Sequence, residues 1–258
     1  MSISVLHCLS TTHSRPAVNS DLESSALTKP IQHIHFASQD EILQCLIQAP
    51  LFRALSRAQY QHIASLVETC CYSKGQTIFI QDDPVSRVLV VASGSVKITR
   101  VSEVGKESLL RLDRAGDWLD ESVNSWQVHT VRACAGQNSI LFALSVAAFE
   151  SLSISVPQIE RNMIGIMRAR LQALQDRFCD VSTRRVPQRL ARLILRLESG
   201  RGEPVAFSRE EMAQMVGTTL FTVSRLLSRW ADSEILSVDR KGVVIENPVR
   251  LSELATAA

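Results

Sequence analysis

No stretch of this chain approaches the roughly 20 consecutive apolar residues that a membrane-spanning helix needs. The N-terminus has no basic segment leading into an apolar one, so a cytoplasmic protein is expected rather than a secreted one. Cysteine is sparse and badly spaced for chemistry. Cys8, Cys45, Cys70, Cys71, Cys134 and Cys179 form no CxxC pair, which suits neither a zinc site nor a disulfide framework and leaves buried structural thiols as the expectation. His33 and His35 have no third ligand nearby, so no metal is expected there. A nucleophile–base pair and a phosphate-cradling glycine loop are both missing, and Ser, His and Asp are scattered without a motif. The sequence does not read as an enzyme.

What is present is ordinary globular composition, 45% hydrophobic and 21% charged, over 258 residues, enough for two domains. The net charge of +2 is unevenly placed. Residues 1–180 carry 16 Lys/Arg against 17 Asp/Glu, whereas residues 184–229 carry 9 Arg against 4 Glu. A basic C-terminal unit suits a polyanionic partner.

Residues 1–38 are rich in Ser and Thr without period and read as a flexible arm. Asp40 to about Glu68 reads as helical, with Ile42, Leu43, Leu46 and Ile47 on one face and a break at Pro50-Leu51-Phe52. Short β-rich runs follow at Thr77–Ile80, Arg87–Ala92, Ser95–Val101, Ser108–Leu112, His129–Ala133 and Ile140–Leu144. Regular spacing with turns between predicts an all-β sandwich or barrel, with hairpin turns at Gly94 and at Glu103–Lys106. After Ala147 the pattern turns helical. Met163, Met167, Arg170, Leu174, Phe178 and Val181 recur at steps of three and four, and Ile159 and Ile166 widen the stripe. Such a helix either meets a copy of itself or packs only on its own barrel, and its length favours the first. Pro187 starts a further helix over Gln188–Glu198, ended by Gly200 and Gly202.

The stretch from Phe207 to Trp230 is the most informative. Ser208 and Glu211 make a capping box, and Gly217 supplies a left-handed stop. Thr218 or Thr219 caps a second helix whose Val223, Leu226, Leu227 and Trp230 form one apolar stripe, with Thr222, Arg225, Ser228 and Arg229 off it. Two helices around a glycine turn, the second carrying arginines and hydroxyls outside its stripe, predict a helix-turn-helix whose second helix enters the DNA major groove. A short hairpin follows at Leu236–Ile245.

In this order the pieces resemble the CRP/FNR superfamily of bacterial transcription regulators over roughly residues 42–250. Matching motifs are Lys74-Gly75-Gln76-Thr77-Ile78-Phe79, Asp83-Pro84, Ser93–Lys97, Gly116-Asp117, Arg189-Leu190-Ala191, Ser208–Ala213 and Thr222-Val223-Ser224-Arg225. The resemblance implies an α+β fold: a cyclic-nucleotide-binding-like β-barrel (a double-stranded β-helix or jelly roll), a long dimerisation helix and a C-terminal winged helix-turn-helix. The expected divisions are 1–38 for the arm, 39–150 for the sensing barrel, 151–181 for the dimerisation helix and 182–258 for the DNA-binding unit. It implies a homodimer on near-palindromic double-stranded DNA, with RNA polymerase as a further partner.

The expected DNA contacts are Arg225, reading guanine, beside Ser224, with Arg209, Thr218, Thr219 and Thr222 on phosphates. Leu220 and Phe221 stand where the cyclic-AMP receptor protein has base-reading Arg and Glu. Both still count among the expected DNA-binding residues: neither can hydrogen-bond a base, but either could pack on a thymine methyl or pack internally, and this motivates a rival reading, an interaction or signal-binding module that no longer reads DNA. The expected effector pocket comprises Asp120, Glu121, Gln127, Val128, Arg170, Leu174 and Gln175. Cyclic-AMP binders grip ribose with Gly-Glu, phosphate with Arg-Ser and adenine with Thr-Ser. Here the matching pairs are Asp120-Glu121, Gln127-Val128 and Leu174-Gln175, and the nearest cation, Arg132, falls on the next strand. An unidentified effector other than cyclic AMP is therefore expected. An iron–sulfur cluster is not expected either, because Cys8 is the one cysteine in the arm. A haem would have His129 and Cys134 as its candidate axial ligands. No cofactor is predicted.

Overall fold

The computed structural model describes residues 38–105, 107–119, 128–198, 207–239 and 242–256. Residues 1–37 of the expected arm, with Cys8, His33 and His35, lie outside them, as do Gly200 and Gly202.

Two short helices open the described chain, α1 (Gln39–Gln48) and α2 (Arg57–Leu66). Each begins on a serine whose hydroxyl accepts from the third helical amide while that residue's side chain takes the serine N–H: Ser38 with Glu41, and Ser56 with Gln59. Seven strands follow: β1 (Glu68–Tyr72), β2 (Thr77–Phe79), β3 (Arg87–Ser93), β4 (Ser95–Val101), β5 (Glu107–Arg114), β6 (Arg132–Ala135) and β7 (Ser139–Ser145). They form two antiparallel sheets, ordered β1-β7-β3 and β2-β6-β4-β5. Between the sheets sit Phe79, Leu89, Val91, Val96, Ile98 and Leu141. The helices cover the other face of the first sheet, where Leu46, Phe52 and Ile63 pack on Val88, Val90 and Phe142.

One expectation about the roll changes and one boundary sharpens. Ile63 and Leu66 lie on α2, as the helical reading to about Glu68 expects. α2 stops at Leu66, Val67 is extended, and β1 begins at Glu68, where β-branched and sulfur side chains alternate into a core already built by β7. Gly94 does not turn a hairpin, because β3 and β4 belong to different sheets. It is a corner between them. Its φ is +90°, and a Cβ there would lie 2.4 Å from Ser139 Oγ, so only glycine fits. The β4–β5 hairpin is as expected, closed by Gly105 N–H donating to the Ser102 carbonyl at 2.8 Å.

A short helix α3 (Val146–Ser155) leads to α4 (Gln158–Thr183), 26 residues and about 39 Å long at 1.5 Å per residue. The expected stripe on α4 splits into two faces. Ile159 and Met163 are buried against the roll and Arg170 turns toward it, whereas Ile164, Met167, Leu171, Leu174, Phe178 and Val181 are exposed. The exposed set steps by three and four along more than four turns, a heptad seam left largely uncovered among the described residues. The misassignment arose because both faces are apolar near the start of the helix.

The C-terminal unit comprises α5 (Val186–Leu197), α6 (Arg209–Val216), α7 (Leu220–Asp232), β8 (Leu236–Val238), β9 (Val243–Ile245) and α8 (Pro248–Thr256). α8 was not anticipated. It buries Leu251 and Ala255 in the core formed by Leu190, Ile194, Met212, Val223, Leu227 and Trp230. The same core takes in Leu109 of β5, with Leu112 packed against it, so the roll and the helix-turn-helix share apolar contacts.

Candidate nucleic-acid interface

The sequence builds the helix-turn-helix by local rules. Ser208 N–H donates to Glu211 Oε2 at 2.7 Å and Glu211 N–H to Ser208 Oγ at 3.2 Å, which starts α6. Gly217, at φ 66° and ψ 54°, ends it, and Thr218 N–H returns to the Ala213 carbonyl at 2.9 Å. Thr219 caps α7: its Oγ1 accepts from Thr222 N–H at 3.3 Å and lies 3.0 Å from Thr222 Oγ1. Val223, Leu226, Leu227 and Trp230 are buried as the stripe requires.

The opposite side of α7 faces solvent. Leu220 is 50% and Phe221 75% exposed, and Arg225 is exposed beside them. The Arg225 guanidinium sits 6.0 Å from the centre of the Phe221 ring. Phe221 therefore supports the arginine from below by a cation–π contact. Thr218, Thr219, Thr222 and Ser224 lie around the same helix start, where amides without intrahelical acceptors point outward and favour phosphate oxygens. Arg209 does not join them. It lies at the far end of α6, exposed beside a cleft against the roll.

Comparison with known proteins agrees with this geometry. The cyclic nucleotide-binding domain family matches residues 69–155, and the Crp-like helix-turn-helix domain family matches residues 188–254. The probable transcriptional regulator flp of Lacticaseibacillus casei is 29% identical over 220 residues, covering 82% of this chain and 98% of that protein. The fumarate and nitrate reduction regulatory protein of Escherichia coli is 28% identical over 190 residues, covering 70% and 76%. The chain belongs to the CRP/FNR family. FixK2 from Bradyrhizobium japonicum shares the fold, with a TM-score of 0.67 at 23% identity over 74% of this chain and 98% of that one. The protein is thus a transcription regulator of the CRP/FNR type with a helix-turn-helix DNA-binding domain, in a family of regulators rather than enzymes.

In this CRP/FNR chain the expected effector residues are not all brought together. Asp120, Glu121 and Gln127 lie outside the described residues. Val128 pairs with Pro84 in an isolated bridge. Arg170 reaches from α4 into the roll, donating to the Trp118 carbonyl, lying 5.7 Å from the Trp118 ring centre and 4.0 Å from Asp113. Arg111 donates to both Asp113 oxygens, at 2.9 and 3.1 Å, and to the Leu119 carbonyl. Burial pushes the Asp113 carboxyl up to about 6, against the opposing pull of Arg111 and Arg170. Leu174 and Gln175 are exposed on α4, Leu174 within the heptad seam. Arg132 bonds Thr77 Oγ1 at 3.1 Å and pairs with Glu107 at 3.5 Å. The His129 ring is buried and stacks flat on Phe79 at 3.9 Å, and the Cys134 thiol donates to the Gly75 carbonyl at 3.1 Å.

Three residues that carry the unit's position were not singled out from the sequence. Lys97 on β4 pairs with Glu211, the capping-box carboxylate of α6. Burial alone would raise that carboxyl, but Lys97 and the Ser208 N–H outweigh it and hold it below the usual carboxylate range. Arg177 on α4 donates to the carbonyls of Leu109 and Leu110 on β5, at 3.3 and 3.1 Å, and of Gln214 on α6 at 3.1 Å. Asp180 near the end of α4 is buried among Arg184, Arg192 and Arg196, at 3.0 to 3.1 Å. It fastens α4 to α5. A lone acid just before an arginine-rich stretch was the available signal for Asp180. Lys97 and Arg177 meet partners distant in the chain and leave no local pattern.

Proposed function

We propose that the chain acts as a symmetric dimer that binds near-palindromic DNA, each copy placing α7 in a major groove of one half-site. One observation carries this reading: the exposed heptad seam of α4, Ile164 to Val181. Six apolar side chains in such a row need a partner surface, and a second α4 offers a self-complementary one. A two-fold axis along α4 sets the two α7 helices to face half-sites about one helical turn apart, roughly 34 Å. Arg225, braced on Phe221, reads guanine, and the start of α7 with Thr218, Thr219 and Thr222 holds phosphates. Recruitment of RNA polymerase follows from the family resemblance.

Cyclic AMP is not the effector in this reading, and no haem or iron–sulfur cluster is required. Arg170, the cation facing the roll from α4, is already engaged with Asp113 and Trp118, and Leu174 and Gln175 do not offer the hydroxyls that adenine recognition uses. Mobility shift with DNA selected from a random pool tests the reading. Two chains per duplex are expected, with affinity falling steeply as salt rises. One chain per duplex, or binding indifferent to sequence, would refute it.

A further inference from the structure

A cleft of about 700 Å³ lies between the roll and the helix-turn-helix. Lys74, Lys97 and Arg114 line it from the roll, and Arg209 and Glu211 from α6, with Asp239 at the β8–β9 hairpin. Lys97 is neutralised by Glu211. Asp239 is engaged at its own turn, accepting from Gly242 N–H at 2.9 Å. Lys74, Arg114 and Arg209 have no carboxylate partner among the described residues. Three uncompensated cations on the two walls of one cleft repel each other, and a cleft with low-dielectric walls focuses their field. A multiply charged anion would relieve that repulsion. The volume falls in the range of small-molecule sites, roughly 300–1,000 Å³, and exceeds what one inorganic phosphate fills. Arginine forks match phosphate oxygens in pairs, and lysine adds a point charge.

We propose that this cleft binds a small molecule carrying two or more phosphate groups, held by Lys74 and Arg114 on the roll and Arg209 on α6. The ligand bridges the two units and holds the helix-turn-helix against the roll. By fixing the helix-turn-helix on the roll the ligand sets how α7 is presented to DNA, a consequence that rests on the DNA reading above, whereas binding to the cleft does not.

The test is calorimetric titration of the full chain, without DNA, using tripolyphosphate, ATP, inorganic phosphate and citrate. One tripolyphosphate per chain is expected, with inorganic phosphate and citrate at least tenfold weaker. Lys74→Ser and Arg114→Ser should each weaken tripolyphosphate at least tenfold. ATP binding tighter than tripolyphosphate would identify a nucleotide, and equal binding the phosphate chain alone. No saturable binding, citrate as tight as tripolyphosphate, or unchanged binding in the folded Lys74→Ser/Arg114→Ser double variant would overturn the proposal. Should that variant unfold, Arg209→Ser on the opposite wall puts the same question. Failure of DNA binding in a separate assay leaves these outcomes intact, so the two readings fail independently.

Discussion

At the scale of single residues, Arg225 and Asp113 make opposite use of a charge. Arg225 is exposed, and its fork is free to meet a base pair while Phe221 limits its swing. Arg225→Ala should cost about 1–3 kcal/mol of discrimination at one base pair. Phe221→Ala should cost less, on the order of 0.5–1 kcal/mol, the range of an exposed cation–π contact. Competition binding against single-base operator variants separates the two. Asp113 is buried with its carboxyl raised to about 6 by burial, so the folded chain holds its proton more tightly than the unfolded chain does. That stabilisation is complete below the ordinary Asp range and is lost as pH rises through about 6. Asp113→Asn lacks the term. Its stability relative to the parent should therefore improve from pH 4 to pH 7, by at most about 3 kcal/mol at 1.36 kcal/mol per pKa unit. Parallel urea titrations at the two pH values measure it, and a constant difference would contradict the assignment. Ser208, Glu211, Gly217 and Arg225 were legible in the sequence because their partners lie within a few residues. The Asp113–Arg111–Arg170 cluster was not, because it forms only once α4 lies on the roll.

At the scale of elements, α4 and α7 do different work with the same helical period. α7 has one buried stripe, so its orientation followed directly from the sequence. α4 has two apolar faces, one on its own roll and one exposed, and spacing alone could not divide them. Only the roll's position decides that Met163 points in and Ile164 out. Phe178, 72% exposed, is the test of the outer face. Phe178→Glu places a charge in the seam at a position that belongs to no apolar core among the described residues. Sedimentation velocity should show the parent as a dimer and the variant shifted to monomer, with the thermal midpoint of the monomer core little changed. A monomeric parent would contradict the element's assigned role.

At the scale of the molecule, six of the roll's seven strands, the long helix and the helix-turn-helix were readable in advance, because each is a local periodicity punctuated by Gly and Pro. Strand β1 and helix α8 were not. β1 is defined by pairing with β7 from the other end of the roll, and α8 by an existing C-terminal core. The way the units sit together was also hidden. It depends on Leu109 entering the C-terminal core, on Lys97 meeting Glu211 and on Arg177 joining β5 to α6. Among the described residues no helix is long and apolar enough to cross a membrane.

The central claim is that two copies read DNA through paired α7 helices. Sequencing the DNA retained from a random pool by the parent and by Arg225→Ala measures it most directly. The account predicts a two-fold symmetric motif with half-site centres about one helical turn apart. Each half-site should contain a guanine whose enrichment disappears in Arg225→Ala. A single unpaired motif, or a symmetric motif unchanged by the substitution, would contradict it.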